Sequence, residues 1–338
     1  MHRVASLLLV LPFLSFIATA QDALLVGNKS DDTVWRISLD DGSRTGVFAS
    51  APGPHEIAVL PDGRTAVVTA YGHDKAGSTL TVLDPAAGAS RSIGLGRHGR
   101  PHGLRVLPGG DVLVTTEESH ALLRVDPVAG EVVSAIDVGD GVGHMVAVSR
   151  DGAVAYVSKI AAGTVLRVDV AAGRVTHEVA SGDGAEGIEV APDGSVWVTN
   201  RGEDTVTVHD PDTLAKNATL DSAGFPIRVA FTADGRHALV TNARAGTMTV
   251  FDAATRALVA TVALRPQGSE SGQSMLGQGP MPIGVVADPR RPRVYVAISG
   301  ADRIAVVDTD GWRVLDYWAT GRQPDALGIV RQDRATGH

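Results

Sequence analysis

Cysteine is absent from the 338 residues. The fold therefore owes nothing to disulfides, and thiolate nucleophiles and thiolate metal ligands are excluded. Basic residues are in the minority, 30 Lys and Arg against 38 Asp and Glu, for a formal net charge of −8. That balance argues against nucleic acid and anionic membrane as partners, since both call for clustered Lys and Arg. Apolar runs long enough to span a bilayer, about 20 residues, are missing after the N-terminal segment. Also missing are a Gly-rich phosphate loop, a Gly-x-Ser-x-Gly elbow and a His-Glu-x-x-His helix, so nucleophilic serine catalysis has no support.

What is present begins with residues 1–20. Arg3, an apolar stretch over 4–17 and Ala18-Thr19-Ala20 form the pattern of a secretory signal peptide, cleaved after Ala20. The mature chain, 21–338, is expected to be a periplasmic or secreted protein with no inserted segment, and its charge becomes −9 because only Arg3 is lost. The 39 Gly and 17 Pro, with abundant Val and no long helix-period stretch, point to an all-β fold rich in turns.

A unit repeats down that chain. An apolar strand ending in Asp and a turn recurs as LTVLDPAAG, LLRVDPVAG, VLRVDVAAG, VTVHDPDTL, MTVFDAATR and IAVVDTDGW, with a degenerate first copy, VWRISLDDG. The anchors are Ser38, Asp84, Asp126, Asp169, Asp210, Asp252 and Asp308, spaced in most cases by roughly 42 residues, the length of a four-stranded propeller blade. In one copy the strands are expected at 186–191, 195–199, 205–210 and 215–220. The chain opens at 23–50 with three strands and closes at 321–333 with a lone innermost one. The predicted architecture is a seven-bladed β-propeller of four-stranded blades, closed by the C-terminal strand joining the N-terminal blade.

The copies VWVTNRGEDTVTVHD and ALVTNARAGTMTVFD resemble the Tyr-Val-Thr-Asn (YVTN) β-propeller repeat family. The resemblance covers nearly the whole mature chain and implies the propeller fold; the family includes exported binding and surface proteins. The strand pattern is also similar to gluconolactonase-type and streptogramin-lyase-type propellers, and that similarity implies metal-dependent enzymes.

Function is sought where copies deviate. The residue opening each innermost strand reads Asp325, His55, His102, His144, Glu186, Ile227 and Ile283 around the ring. Asp325, the three histidines and Glu186 are candidate ligands of a divalent metal, and His55, His102 and His144 are candidate acid–base groups. One turn carries the extra stretch YGHDKAG, which brings Tyr71, His73 and Asp74 to the same mouth. Glu117, Lys159, Arg201 and Arg244 follow the second strand of successive blades and are candidate ligand-binding residues. A long connection, 264–282, with Met275, Leu276 and Met281, suggests a flap. His120, His177, His209 and His237 are expected to be structural, and Trp35, Trp197, Trp312 and Trp318 to lie in strands and pack between blades.

Three functions remain open at this point. The first is a monomeric binding protein that takes a small polar molecule or a divalent metal at the His-rich mouth. The second is a metal-dependent lyase or lactone hydrolase using the same residues. The third is a non-catalytic protein-interaction scaffold.

Overall fold

The computed structural model describes residues 22–266, 273–274 and 277–331. The expected signal segment, residue 21, and Met275 and Leu276 of the long connection lie outside the described residues. Seven four-stranded antiparallel sheets make up the molecule, with one two-stranded hairpin, Gln273–Ser274 with Gly277–Gln278, beside them. Blade 1 joins Pro324–Val330 to Ala23–Asn28, Thr33–Ser38 and Arg44–Ala49. Blades 2 to 7 open with the inner strands Pro54–Val59, Pro101–Val106, Gly143–Val148, Ala185–Val190, Pro226–Phe231 and Pro282–Ala287. Among the described residues no helix is long and apolar enough to cross a membrane.

The repeated Asp has a local cause. Asp84, Asp126, Asp210 and Asp252 each accept backbone N–H bonds from the residues two and three further on, closing the turn before the outer strand. The degenerate copy keeps one such bond, from the Asp40 N–H to Ser38 Oγ at 3.3 Å. The Asn of the Thr-Asn pair is equally local. Asn200 and Asn242 accept from the hydroxyls of Ser181 and Ser222 at 2.9 and 2.8 Å and donate to threonines of the third strand.

Sheet faces are buried against the neighbouring blades. Between blades 2 and 3, Leu80, Ile93, Leu104, Val114 and Leu123 form one continuous cluster, all within 1 % of full burial. Trp197 fills the gap between blades 5 and 6 edge-on to Phe231, and Trp318 packs on Tyr295. Trp312 departs from expectation: it sits in the turn before Arg313 at φ 48°, against His237. Closure follows the proposed scheme, with Ala23 opposite Val330 and Asn28 opposite Pro324.

Candidate functional site

One backbone device, repeated seven times, builds the mouth of the channel. In every blade the inner strand gains one residue on its partner just after its first residue, a β-bulge. The second residue of each inner strand is Asp325, His55, His102, His144, Glu186, Ile227 or Ile283, and all seven are buried. The residue before each inner strand is left-handed: Gln323, Gly53, Arg100, Val142, Gly184, Phe225 and Met281, with φ between 50° and 71°. Five of these carry side chains, and for β-branched Val142 such a φ is an outlier. Hydroxyls of the second strand hold the bulge in place. Thr115 Oγ1 accepts from the Gly103 N–H at 2.8 Å and donates to the His144 carbonyl, and Ser158 does the same for Met145 and Glu186.

A third ring comes from the residue just past the second strand, Lys29, Glu117, Ile160, Arg201, Ala243 and Ser299, with Tyr71 inside the lengthened second strand of blade 2. The register explains where two expected residues went. Lys159 pairs with Gly143 and Thr164, the position Asn200 holds in blade 5, so the residue that reaches the mouth is Ile160. Lys159 is buried and donates to Glu178 on the outer strand at 3.1 Å. Arg244 lies one residue beyond the ring, stacked over Phe225 at 3.9 Å, and does not line the cavity.

The inserted stretch in blade 2 does not form a loose loop. Strands Ala66–Gly72 and Ala76–Asp84 lengthen, with Gly72 opposite Ala76. This hairpin presses on the rim so closely that a Cβ at Gly53 would lie 2.7 Å from the Gly72 carbonyl oxygen. Tyr71, His73 and Asp74 line the cavity, and His73 bonds Asp32 at 2.8 Å.

The side chains converge. The His55 and His102 rings are 4.1 Å apart, the His102 and His144 rings 3.7 Å, and Tyr71 stands edge-on to the first two. His144 donates from Nδ1 to Glu117 at 2.7 Å and from Nε2 to Glu186 at 2.9 Å. Glu186 also takes Arg201 at 2.6 Å and Arg228 at 3.4 Å. Glu117 accepts from the Tyr71 hydroxyl at 2.7 Å. Asp325 lies 3.0 Å from His55 Nδ1, close but not aligned as a hydrogen bond, and 3.9 Å from Lys29 Nζ. Three polar side-chain atoms of the ring are buried without a hydrogen-bond partner here, His55 Nδ1, His102 Nδ1 and Asp325 Oδ1.

These neighbours set the charges. Burial pushes the His144 imidazole down, but the Glu186 charge and the bonds to Glu117 and Glu186 outweigh it and raise the pKa to about 9. Burial pushes Glu186 up, but His144, Arg228 and Arg201 bring it down to about 2. Asp325 is held below the usual carboxylate range by His55, Lys29 and Arg228 against the effect of burial. His102 has no carboxylate partner, so burial and the adjacent cationic and imidazole groups keep it neutral, well below its ordinary value. Burial also lowers Lys29.

The cavity so formed has a volume of about 660 Å³. Arg228 lies at its floor, bonded to Glu56 at 2.8 Å, with a second cavity of about 520 Å³ deeper in the channel. A larger cleft, about 880 Å³, lies on the outer edge of blades 6 and 7, but no histidine or carboxylate cluster lines it. Lys29, Arg100, Gln323 and Arg228 belong to the mouth and are not among the residues singled out from the sequence. The first three were readable as register equivalents of Arg201, Gly53 and Gly184.

His102, Glu117 and His144 place three ligand atoms within 4.8 Å of one another, close enough to hold a metal ion. Their hydrogen bonds run against it. Both His144 nitrogens carry protons directed at carboxylates, and both Glu117 oxygens are bonded, so only His102 offers a free nitrogen. A zinc-type site needs three or four unprotonated donors at once. The set could hold an ion only once His144 had lost a proton and its carboxylate bonds had been remade.

No protein-family model and no curated protein matches the sequence, so the YVTN assignment gains no support. Solved structures do match. A periplasmic gluconolactonase of Pseudomonas aeruginosa is 21 % identical with a TM-score of 0.71, covering 91 % of this chain and 99 % of that one. A streptogramin B lyase is 12 % identical at 0.70, covering 92 % and 95 %. Hydrazine synthase of Kuenenia stuttgartiensis is 18 % identical at 0.70, covering 86 % and 98 %. At such identities the likeness is one of propeller fold.

Proposed function

We propose that this protein is an exported, monomeric propeller that binds a small organic anion at the mouth of its channel. One observation carries the reading: Glu117 and Glu186 are already spent on internal donors. Glu186 alone serves His144, Arg201 and Arg228, and His144 remains an imidazolium through neutral pH. Further N–H groups of Lys29, Arg100 and Arg201 are then left to an incoming acceptor at the cavity wall. In a low-dielectric pocket such groups discriminate strongly for a carboxylate over its neutral amide.

Calorimetric titration of untagged protein with hexanoate and hexanamide, each with and without a chelator, tests this. Tighter binding of the acid, unaffected by the chelator and lost by at least tenfold in Arg201→Ala, is expected. Equal affinity for acid and amide would overturn the reading.

A metal-dependent lyase or lactone hydrolase stands second, favoured by the 4.8 Å approach of His102, Glu117 and His144. A divalent ion there would supply Lewis-acid chemistry, but only after His144 had lost a proton and its carboxylate bonds had been remade. Stoichiometric metal in untagged, unsupplemented protein would move this reading to first place.

A further inference from the structure

We infer that the ligand of this mouth is an amphipathic organic acid whose hydrocarbon part lies against a wall built by blades 6 and 7. The inference rests on the anion-binding reading and names the class of acid. Around the ring the second residue of the inner strand is titratable in blades 1 to 5 and isoleucine in blades 6 and 7. There Phe225, Ile227, Ala243, Met281 and Ile283 form a cluster of their own, distinct from the cores between blades.

Two of its residues make this cluster a wall of the site. Ile227 and Ile283 line the same cavity as His55, His102 and His144, from the far side of the ring. Phe225 and Met281, at φ of 71° and 50°, belong to the same buried cluster as these two isoleucines.

Charge and apolar surface meet at one residue. Arg201 bonds Glu186 at 2.6 Å and lies 5.1 Å over the Phe225 ring, so a carboxylate drawn to it has the blade 6 wall alongside. The cavity, about 660 Å³, is far larger than an inorganic anion or metal ion needs and falls within the ~300–1,000 Å³ of sites for organic ligands.

The test is a calorimetric series on the whole protein with acetate, butanoate and hexanoate, and with hexanamide as the neutral control. Kd is expected to fall about three- to fourfold per added methylene, roughly a hundredfold from acetate to hexanoate, with an increasingly negative heat-capacity change. Ile283→Asn should cut the hexanoate-to-acetate ratio below about tenfold; should that variant fail to fold, the wild-type series decides alone. Equal affinity for acetate and hexanoate would overturn the wall and leave the anion reading standing. Hexanamide binding as tightly as hexanoate, with chain-length dependence intact, would overturn the acid and leave the wall.

Discussion

Glu186 is the residue on which the site turns, because one buried carboxylate balances three cations. Its pairing with His144 makes stability depend on pH in a defined direction. His144, raised from 6.5 to about 9, contributes fully below pH 6.5 and loses that contribution as pH rises towards 9. Glu186, lowered from 4.5 to about 2, contributes fully above pH 4.5 and loses it as pH falls towards 2. The two describe one ion pair from its two ends and are not summed. His102, held well below its ordinary pKa, takes stability away as pH falls below 6.5, so the melting temperature should peak near pH 6.5 and be lower at pH 9 than at pH 6. Glu186→Gln should flatten that alkaline slope and cost about 3–5 kcal/mol at pH 6, since it strands buried charge. A melting temperature unchanged from pH 6 to pH 9 would show that His144 is not held as a cation. The sequence placed the three histidines and two acids at one register, because a repeat makes equivalent positions visible. It could not assign their protons: His144 and His102 look alike in the chain and differ only in whether a carboxylate stands beside each ring.

At the scale of the strand, the second-strand hydroxyls of Thr115, Ser158 and Thr241 each tie one blade to the next. Thr115→Val would leave the Gly103 N–H and one lone pair of the His144 carbonyl without their partner. A loss of about 1–3 kcal/mol in denaturant unfolding is expected, together with weaker ligand binding, because His144 is carried on that carbonyl. The inserted hairpin makes the opposite case. Replacing 71–77 with the short turn of the other blades should change stability by less than about 1 kcal/mol, since exposed turns tolerate length changes. Binding should nevertheless fall at least tenfold as Tyr71 leaves Glu117. Equal losses of stability and binding would mark the hairpin as structural only. Strand boundaries were legible to within a residue or two from Pro-Asp-Gly turns and alternation. The exchange of Lys159 for Ile160 was not, because the expected register counted charged residues and the pairing of Gly143 with Lys159 is fixed by hydrogen bonds.

At the scale of the ring, the last inner strand decides whether the molecule is closed. Removing 324–338 takes away Asp325 and exposes the edge of Ala23–Asn28 along with the apolar faces of blades 1 and 2. A cooperative melt at the wild-type temperature after that deletion would refute closure; a broad, early transition is expected. Repetition made this architecture the most readable part of the chain, since seven copies average out the ambiguity of any one strand. Chemistry was less readable because it arises between blades, where His144 of blade 4 meets Glu117 of blade 3 and Glu186 of blade 5.

The shared backbone of the mouth has one more consequence. Bulge, left-handed residue and supporting strand recur in all seven blades whether the side chain there is aspartate, histidine, glutamate or isoleucine. The backbone shape at these positions is thus independent of the side chain it carries, even where, as at Glu186, that side chain contributes to stability, and the ring behaves as an addressable array. Histidine written in place of Ile283, or isoleucine in place of His55, would alter what the mouth recognises while every blade keeps its shape, so new selectivities lie one substitution apart.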